Sequence, residues 1–486
     1  MKKLYISLAA LALLSTAGCK KYLEHAPDQR TEVNTVDKVA QLLTSAYPQA
    51  NYIAFTEAAS DNAEDRGAGY ALDRISTLPF LWQDNDDNDN DTPTDYWNAS
   101  YAAIAAANQA LVAIENASDK TGYAPYKGEA LLARAYAHFM LVTLYSQIYT
   151  PGGDNSSPGV PYVTTPEKVV SQQYTRGTVA SVYDAIQKDL EEGLPLIQNQ
   201  AYGVPKYHFN VAAAHAFAAR FYLFKADYAK VVEHASTVSP GNSFATILRP
   251  WTTRYRNYTS AEMNTNFTQA TEPSTLLLIE TPSSWARTTS ARFGFGQTIS
   301  DKYFGSNNVT GARWGHGLYL YGSPNYTFLK FKEYFVKTSQ NATIGYPYTI
   351  VPVLTADETL LNRAEAYANL GQNDLALQDL NTFCSTRIAN FNVATNGVTL
   401  PKIAAFYGLP SPKEGLIQTV LEFKKAEFIQ EGIRWLDIVR LKIPVTHRVV
   451  KFVGQPDVYT LPADDKRRLF QLPSQVKLSG IEQNPR

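Results

Sequence analysis

The sequence is poor in cysteine, in net charge and in long hydrophobic runs. It has two cysteines among 486 residues, too few for a disulfide framework. Its 44 Lys and Arg residues nearly balance 45 Asp and Glu residues, so no basic surface indicates nucleic-acid binding. After residue 18 no apolar run is long enough to cross a bilayer, and we expect no membrane-spanning helix in the body of the chain.

The common catalytic motifs are also missing. The sequence contains none of HExxH, GxSxG, the P-loop and GxGxxG. The seven histidines are dispersed, and His138, His215 and His234 lie on predicted helices, where we expect core positions. Cys384 ends another predicted helix and is interpreted as a small buried hydrophobe. These features favour a binding protein over an enzyme, although two carboxylates facing each other across a cleft would escape a motif search.

The N-terminus has the features of a lipoprotein signal. Residues 1–18 read as a signal peptide, because two lysines precede an apolar stretch too short to span a bilayer. Two small residues lead directly into Cys19, which resembles a bacterial lipobox, although Thr16 stands where leucine is usual. The resemblance implies lipidation of Cys19 and firm membrane anchoring by several acyl chains, with 19–36 as an extended tether. The alternative is plain secretion with an incidental cysteine.

Apolar residues recur at helical spacing in several long segments. The segment 95–117 is rich in alanine, and 128–147 is apolar nearly all round, which predicts a helix enclosed by other helices. Residues 210–240 and 355–383 each show a helix, a short turn and a second helix, an arrangement that resembles tetratricopeptide helix pairs. Because such pairs must cover each other's apolar faces, we predict that they assemble into a right-handed superhelix.

The segment of about 241–350 has no long helical period and is rich in Thr, Ser, Asn, Gly and Tyr. It predicts loops and short strands laid over the helices, without a core of their own. The fold class is therefore predicted as mostly α, a tetratricopeptide-like scaffold that carries a loop-rich, partly β insertion. We expect one domain over 37–486, with the scaffold formed by 37–240 and 355–445 and a C-terminal segment over 446–486.

Several motifs follow one another in the order found in one known family. They are CKKYLE at 19–24, YAAIAAANQAL at 101–111, GEALLARAYAHFMLVTLY at 128–145, NVAAAHAFAARFYL at 210–223, LLNRAEAYANLG at 360–371, EFIQEGIRWLDIVRLK at 427–442 and LFQLPSQVKLSGIEQNPR at 469–486. The ordered set resembles the SusD-like (RagB/SusD) outer-membrane nutrient-binding lipoproteins of Bacteroidetes. The resemblance implies nutrient capture without catalysis and delivery to a TonB-dependent SusC-like transporter. Phe423, Lys424 and Gln471 depart from the family pattern, which bears on the subfamily.

The EFIQEGIRWLDIVRLK motif also has a physical interpretation. Glu431, Arg434, Asp437 and Arg440 are spaced three apart, which predicts a ladder of charge pairs along one helix. Gly432 lies inside this predicted helix, where glycine costs about 1 kcal/mol relative to alanine and so indicates close packing. An active-site interpretation of the acidic residues is disfavoured, because such pairs usually only stabilise a helix.

The stretch DNDDNDND at 84–91 is a dense acidic cluster. Its Asp87, Asp89 and Asp91 resemble the alternating oxygen ligands of a calcium loop. The glycine and the glutamate that complete such a loop are missing, so a solvated loop is the favoured interpretation. We expect no cofactor, with calcium at these three residues as the alternative.

The resemblance implies a shallow ligand surface built from about 60–97 and 285–325. Sugars offer flat C–H faces and a rim of hydroxyls, so the site needs aromatic rings beside polar groups. Trp82 and Trp314 are the first candidates for these rings, and the alternative for each is burial. The further candidates are Trp285, Tyr319, Tyr321, Arg66, Asp73 and Arg313, with Tyr70, Arg74, Arg292 and Tyr303 in the same segments.

Three functions follow from these patterns. The leading prediction is a lipid-anchored protein of the outer membrane that faces the exterior and captures oligosaccharide. The second is a tetratricopeptide-type lipoprotein that binds peptides in an open groove, which the long insertion argues against. The third is a surface glycosidase, which would require a pair of facing carboxylates.

Overall fold

The structure, a computed structural model, describes residues 32–486 except 168, 170, 171 and 321–325; the side chains of 288–290, 319 and 320 are also left out. The helices before the insertion are α1 (Val36–Leu43), α2 (Ile53–Ala59), α3 (Arg74–Phe80), α4 (Pro93–Asn116), α5 (Ala124–Tyr145), α6 (Val179–Gly193), α7 (Val211–Phe224) and α8 (Tyr228–Val238). The later helices are α9 (Ser260–Asn266), α10 (Gln297–Tyr303), α11 (Ala356–Asn369), α12 (Asn373–Ser385), α13 (Val393–Asn396), α14 (Leu400–Tyr407), α15 (Pro412–Glu427) and α16 (Ile433–Arg440).

Local sequence sets where the long helices begin. The side chain of Thr92 accepts a hydrogen bond from the backbone N–H of Asp95 at the start of α4, and Pro93 occupies the first turn. Thr178 and Ser181 form a reciprocal capping box at the start of α6. These caps satisfy backbone N–H groups that have no partner inside the helix.

Helix α5 is enclosed by its neighbours, as predicted. Every residue from Gly128 to Ser146 is buried, and α4 and α6 pack along opposite parts of its surface. The guanidinium of Arg134 binds both carboxylate oxygens of Asp189 on α6, at 2.6 and 2.7 Å. Charged side chains inside a protein are usually paired with an opposite charge in this way.

The two helix pairs predicted from sequence form one continuous stack. Helix α8 packs on α11, so that the pair α7–α8 lies beside the pair α11–α12. Arg220 on α7 binds Glu358 on α11, with 2.7 Å between Nε and Oε1, and Arg363 binds Asp379 within the second pair. The predicted mostly α, tetratricopeptide-like scaffold is confirmed. Cys384 is a fully buried free thiol at the end of α12, also as predicted.

The insertion carries the largest of the described sheets, an antiparallel sheet in which β7 (Gly345–Thr355) lies between β2 (Thr275–Pro282) and β6 (Glu333–Lys337). Strand β7 continues directly into α11, whose first turn is capped by Thr355, so the sheet is fixed to the helical scaffold. The strands are β1 (Glu64–Asp65), β2 (Thr275–Pro282), β3 (Phe293–Gly294), β4 (Tyr319–Leu320), β5 (Tyr326–Thr327), β6 (Glu333–Lys337), β7 (Gly345–Thr355), β8 (Val445–Val449) and β9 (Asp457–Leu461).

The insertion has a small core of its own, contrary to the expectation from sequence. The cluster consists of Trp251, Tyr255, Met263, Phe267, Phe295, Ile299, Tyr303, Phe328 and Ile429. Ile429 belongs to the motif EFIQEGIRWLDIVRLK (427–442), which we call the EFIQEG motif. A residue of the scaffold therefore completes this cluster. The sequence did not predict this cluster, because its aromatic residues are scattered over a long loop-rich segment without periodic spacing.

The EFIQEG motif is broken into two helices rather than forming the single one predicted. Helix α15 ends at Glu427 and α16 begins at Ile433, and Gly432 between them has φ +75°. Glycine is needed there because a left-handed backbone is costly for other residues.

The predicted ladder of charge pairs is only partly formed. Asp437 and Arg440 pair at 2.7 Å. Arg434 instead binds Asp61 at 2.8 Å, and Glu431 binds Lys330 at 2.6 Å. These charges therefore tie the motif to other segments more than they stabilise its own helix.

The C-terminal segment returns to the first half of the chain. Strands β8 and β9 form a hairpin, and the Nδ2 of Asn484 donates to the backbone oxygen of Tyr145 at 2.8 Å. Within the part of the chain that is described, none of the helices combines the length and the apolar character needed to cross a membrane.

Candidate functional site

A cavity of about 220 Å³ lies between α2, the loop that follows it, and the segment around Trp285. We call it the Trp285 cavity. Three of the residues predicted for the ligand site, Arg66, Asp73 and Trp285, line it together. Its apolar walls are formed by Ala54, Ala58, Ala63, Ile75, Phe293 and Phe295. An apolar cleft with a few convergent polar groups is the usual form of a small-ligand site.

Trp285 begins a short 3-10 turn and is half-buried. Its indole Nε1 donates a hydrogen bond to the backbone oxygen of Gln430 at 3.2 Å, and its backbone N–H donates to the hydroxyl of Ser283 at 3.0 Å. The ring is thus held on one side by the EFIQEG motif while it contributes to the wall of the cavity. A fixed aromatic ring of this kind offers apolar area at little entropic cost.

Arg66 and Asp73 lie on the loop after α2. The guanidinium of Arg66 lies over the ring of Tyr70, 4.6 Å from its centroid, and donates to the backbone oxygen of Ala291. Burial lowers the pKa of Arg66. Asp73 caps α3, with Oδ1 accepting from the backbone N–H of Ser76 at 2.6 Å. Asp73 therefore contributes to the cavity wall by fixing the first turn of α3.

Two buried polar residues of this cavity were missed by the sequence analysis. Glu57 on α2 is 4% exposed, and its Oε1 accepts from the backbone N–H of Gly432 at 2.7 Å. Burial raises the pKa of Glu57 to about 7, against the opposing hydrogen bonds from Gly432 and Asn62. The signal in the sequence is a single acid in the otherwise uncharged helix IAFTEAA.

Asn62 is 1% exposed and donates from Nδ2 to Glu57 at 3.5 Å. Its Oδ1 accepts no hydrogen bond within the described part of the chain. This oxygen has almost no accessible surface, so the atom itself is not presented to a group bound in the cavity.

The acidic cluster is connected to the same site. Asp91 is buried, has φ +67° and lines the cavity. Its carboxylate accepts a hydrogen bond from the hydroxyl of Ser283 at 2.6 Å and another from the backbone N–H of Ser284 at 2.8 Å. Burial raises the pKa of Asp91 to about 6. This contact fixes the end of the acidic loop to the turn that carries Trp285.

The calcium hypothesis gains no support from the geometry. Asp87 binds Arg74 at 2.7 Å, Asp91 is engaged by the two serines, and the backbone oxygen of Asp89 accepts from Thr92. Across the described residues, no group of three or more His, Cys, Asp or Glu side chains is arranged to hold a metal ion.

The two tryptophans ranked first from sequence are buried away from this cavity. Trp82 is 5% exposed, stacks on His447 at 4.5 Å between ring centroids and donates to the backbone oxygen of Ala59. Trp314 is 8% exposed and meets Phe423 edge to face at 4.8 Å. The structure therefore does not place either ring where a sugar could stack on its face, and it favours the alternative of burial.

The remaining candidates are dispersed. Arg313 is exposed but does not line the cavity, Arg292 binds Asp65 at 2.6 Å, and Tyr303 is buried in the cluster of the insertion. Tyr321 and the side chain of Tyr319 lie outside the described residues.

The acids of the EFIQEG motif are bound by cations beneath the insertion. Lys330, itself buried, donates to Glu431 and to the backbone oxygens of Glu427 and Ile429 at 2.6–2.9 Å. Burial opposes ionisation of Glu427, but its contacts with Arg387 and His316 prevail and hold its pKa below the usual range. These pairs support the structural interpretation of the motif.

A second cavity, of about 370 Å³, lies between the first half of α4 and the C-terminal segment. Trp97, Tyr101 and Tyr174 contribute to its lining. The hydroxyl of Tyr101 donates to the backbone oxygen of Pro161 at 3.0 Å, and that of Tyr174 donates to Glu167. Both of these hydroxyls therefore already have acceptors within the fold.

Two family models match the chain in succession. One, described as "Starch-binding associating with outer membrane", matches residues 21–223, and the other, described as "SusD family", matches residues 245–471. The chain belongs to the SusD family. No match is found among curated proteins.

Solved structures of SusD proteins share the fold. A SusD superfamily protein from Bacteroides thetaiotaomicron VPI-5482 matches with a TM-score of 0.67 at 18% identity, covering 93% of this chain and 100% of the other. A putative sugar binding protein from Bacteroides vulgatus ATCC 8482 matches with a TM-score of 0.68 at 19% identity, covering 94% and 99%. A SusD-like carbohydrate binding protein from the same strain matches with a TM-score of 0.66 at 15% identity, covering 91% and 96%.

Proposed function

We propose that this SusD-family protein binds oligosaccharide in the Trp285 cavity and delivers it unchanged to a TonB-dependent SusC-like transporter. The observation that carries the proposal is the half-buried indole of Trp285, which lines an apolar cavity together with the polar residues Arg66 and Asn62. A sugar suits this combination, since its hydroxyls form hydrogen bonds with polar side chains and its C–H face packs on an aromatic ring.

The size of the cavity favours a short ligand. Sites for drug-sized molecules usually have volumes of about 300–1,000 Å³, and the Trp285 cavity has about 220 Å³. We therefore propose that it holds about one sugar ring, such as the end of a chain, while the rest of the oligosaccharide lies outside. Two of the similar solved structures are described as sugar or carbohydrate binding proteins, which supports this ligand class.

The membrane anchor and the location belong to the same proposal. Residues 1–18 would be removed as a signal peptide, Cys19 would carry the lipid, and 19–36 would connect it to one domain over 37–486. The family description that mentions the outer membrane supports this location. The protein would face the exterior, where polymeric nutrients arrive.

Peptide binding in an open helical groove is the second candidate. Strands β2 and β7 pack against α7 and cover part of the surface that a peptide groove on this helix would need. This contact favours the sugar hypothesis over the peptide hypothesis.

Hydrolysis is the third candidate, and the raised pKa of Glu57 is the observation in its favour. The other acids of the cavity have structural partners, since Asp73 caps α3 and Asp91 binds Ser283. We therefore propose binding without cleavage. Mass spectrometry of the glycans after incubation with the protein tests this, and shortened products would contradict it.

A glycan array followed by calorimetric titration of the best ligand tests the binding site. We expect Trp285→Ala to weaken binding about tenfold or more, because truncating an aromatic residue at the centre of an interface typically costs about 2 kcal/mol or more. Phe406→Ala removes an exposed aromatic ring outside the cavity and should leave the affinity unchanged. Equal affinity of the wild type and Trp285→Ala would contradict the proposed site.

A further inference from the structure

Two histidines predicted to be core residues are half-exposed and face each other across a helix pair. His215 lies on α7 and His234 on α8. Their Nδ1 atoms are 3.0 Å apart, and the ring centroids are 5.2 Å apart with an angle of 38° between the ring planes. Because the two helices pack along each other, the scaffold holds this pair in place.

The other described histidines are engaged by the protein. His138 is hydrogen-bonded to the backbone of Arg134 and Val163, and His447 to the backbone oxygens of Ser60 and Phe80. His208 binds the side chain of Glu129, and His316 binds that of Glu427. For His215 and His234, the hydrogen bond seen in the described structure is the one that joins them. Among the described histidines, these two are hydrogen-bonded to each other and not to another part of the fold.

The two facing ring nitrogens are of a kind that transition metals bind. Neutral imidazole nitrogen is a preferred ligand of Zn²⁺, Cu²⁺ and Ni²⁺. Two nitrogens bound to one tetrahedral zinc ion at about 2.0–2.1 Å lie roughly 3.4 Å apart, so the observed spacing needs only a small opening.

The surroundings favour a cation. Tyr222 stacks on His234 with 5.4 Å between centroids and an angle of 7°, which fixes the ring. The charged groups that act on His234 are Glu191, Asp227, Glu233 and Lys230. Three carboxylates and one ammonium give a negative local charge, which attracts a divalent ion.

We propose that His215 and His234 chelate one transition-metal ion of the Cu²⁺, Ni²⁺ or Zn²⁺ class through their Nδ1 atoms. The ring that carries the Nδ1 proton loses it to solvent and regains one at Nε2, so neither ring changes its net charge. The described residues place no third His, Cys, Asp or Glu in position, and water completes the coordination. The site is therefore open and exchangeable, unlike a closed structural zinc site.

Calorimetric titration of the untagged protein with Cu²⁺, and then with Zn²⁺, tests the site. We expect one equivalent of metal, tighter binding of Cu²⁺ than of Zn²⁺ as the usual order of divalent ions requires, and no saturable binding of Mg²⁺. His215→Gln and His234→Gln should each abolish this binding. His25→Gln, which changes a histidine of the N-terminal segment outside the described residues, should leave it intact.

Electron paramagnetic resonance of the Cu²⁺ complex gives a readout that does not depend on variants. We expect coupling to two imidazole nitrogens. The proposal would be overturned by the absence of Cu²⁺ binding, by binding that survives both substitutions, or by loss of binding in His25→Gln.

Discussion

At the scale of single residues, Glu57 is the group whose charge depends most directly on the cavity. Its pKa is about 7 instead of the ordinary 4.5, because burial disfavours the carboxylate. The folded protein therefore holds a proton that the unfolded chain has released between about pH 4.5 and 7. Stability from this group is present at low pH and is lost as the pH rises through that range.

We expect Glu57→Gln, which keeps an acceptor for Gly432, to remove this dependence. The variant should match the wild type in unfolding free energy near pH 4, below the unfolded pKa, and exceed it near pH 8, by up to about 3 kcal/mol. Denaturant unfolding at both pH values measures the difference. Glu280→Gln, at an exposed position on β2, is the control and should show little change. A difference for Glu57→Gln that is the same at both pH values would refute the argument.

The residue types of the proposed sugar site could be chosen from the sequence, but which of them are exposed could not. Trp285, Arg66 and Asp73 lie together because the loop after α2 meets the insertion. Trp82 and Trp314 have the same chemistry and similar sequence surroundings, yet His447 and Phe423 from distant parts of the chain cover them. Which aromatic ring faces a cavity is decided by such long-range contacts, which leave no local pattern.

At the scale of elements, helices were predictable where the apolar period is long and the caps are strong. The segments around α4, α5, α7–α8 and α11–α12 follow the sequence prediction closely. The EFIQEG motif was not predictable as two helices, because its charges at helical spacing also suit one continuous helix. The break depends on Gly432, whose backbone lies against α2.

Gly432→Ala tests how closely the motif packs on α2. An added Cβ would lie 2.6 Å from the hydroxyl of Thr56 and 3.0 Å from the Cα of Ile53. We expect a loss of about 2–5 kcal/mol, from backbone strain at φ +75° plus the steric clash. Gly408→Ala is the matched control, since φ is +68° there and an added Cβ meets nothing within 4 Å.

For the control, strain alone should cost about 1–2 kcal/mol. Thermal or denaturant unfolding of both variants separates the two contributions. Equal losses for the two glycines would show that the contact with α2 is unimportant.

At the scale of the whole molecule, the insertion and the scaffold form one binding unit. Lys330 from the insertion donates to Glu431 and to two backbone oxygens of the motif, and Ser283 binds Asp91 beside the cavity. Charges that are paired and buried in this way are costly to separate. The proposed ligand site is therefore held between two parts of the chain that are distant in sequence.

The proposed lipid anchor would determine where the protein works. We expect the wild-type protein in the membrane fraction of its host and Cys19→Ala in the soluble fraction, because without acyl chains the segment before α1 has no hold on the bilayer. Fractionation followed by mass spectrometry of the N-terminus measures this. Thr16→Leu, which restores the usual lipobox residue, should keep the protein in the membrane. A wild-type protein found in the soluble fraction would contradict the anchor.

The most direct test of the account is a crystal structure of the protein with the best ligand from the glycan array. We expect one sugar ring inside the Trp285 cavity, packed on the indole and hydrogen-bonded to polar side chains of the cavity wall. An intact oligosaccharide bound elsewhere, for instance in the cavity beside Trp97 and Tyr101, with the Trp285 cavity empty, would contradict the central claim.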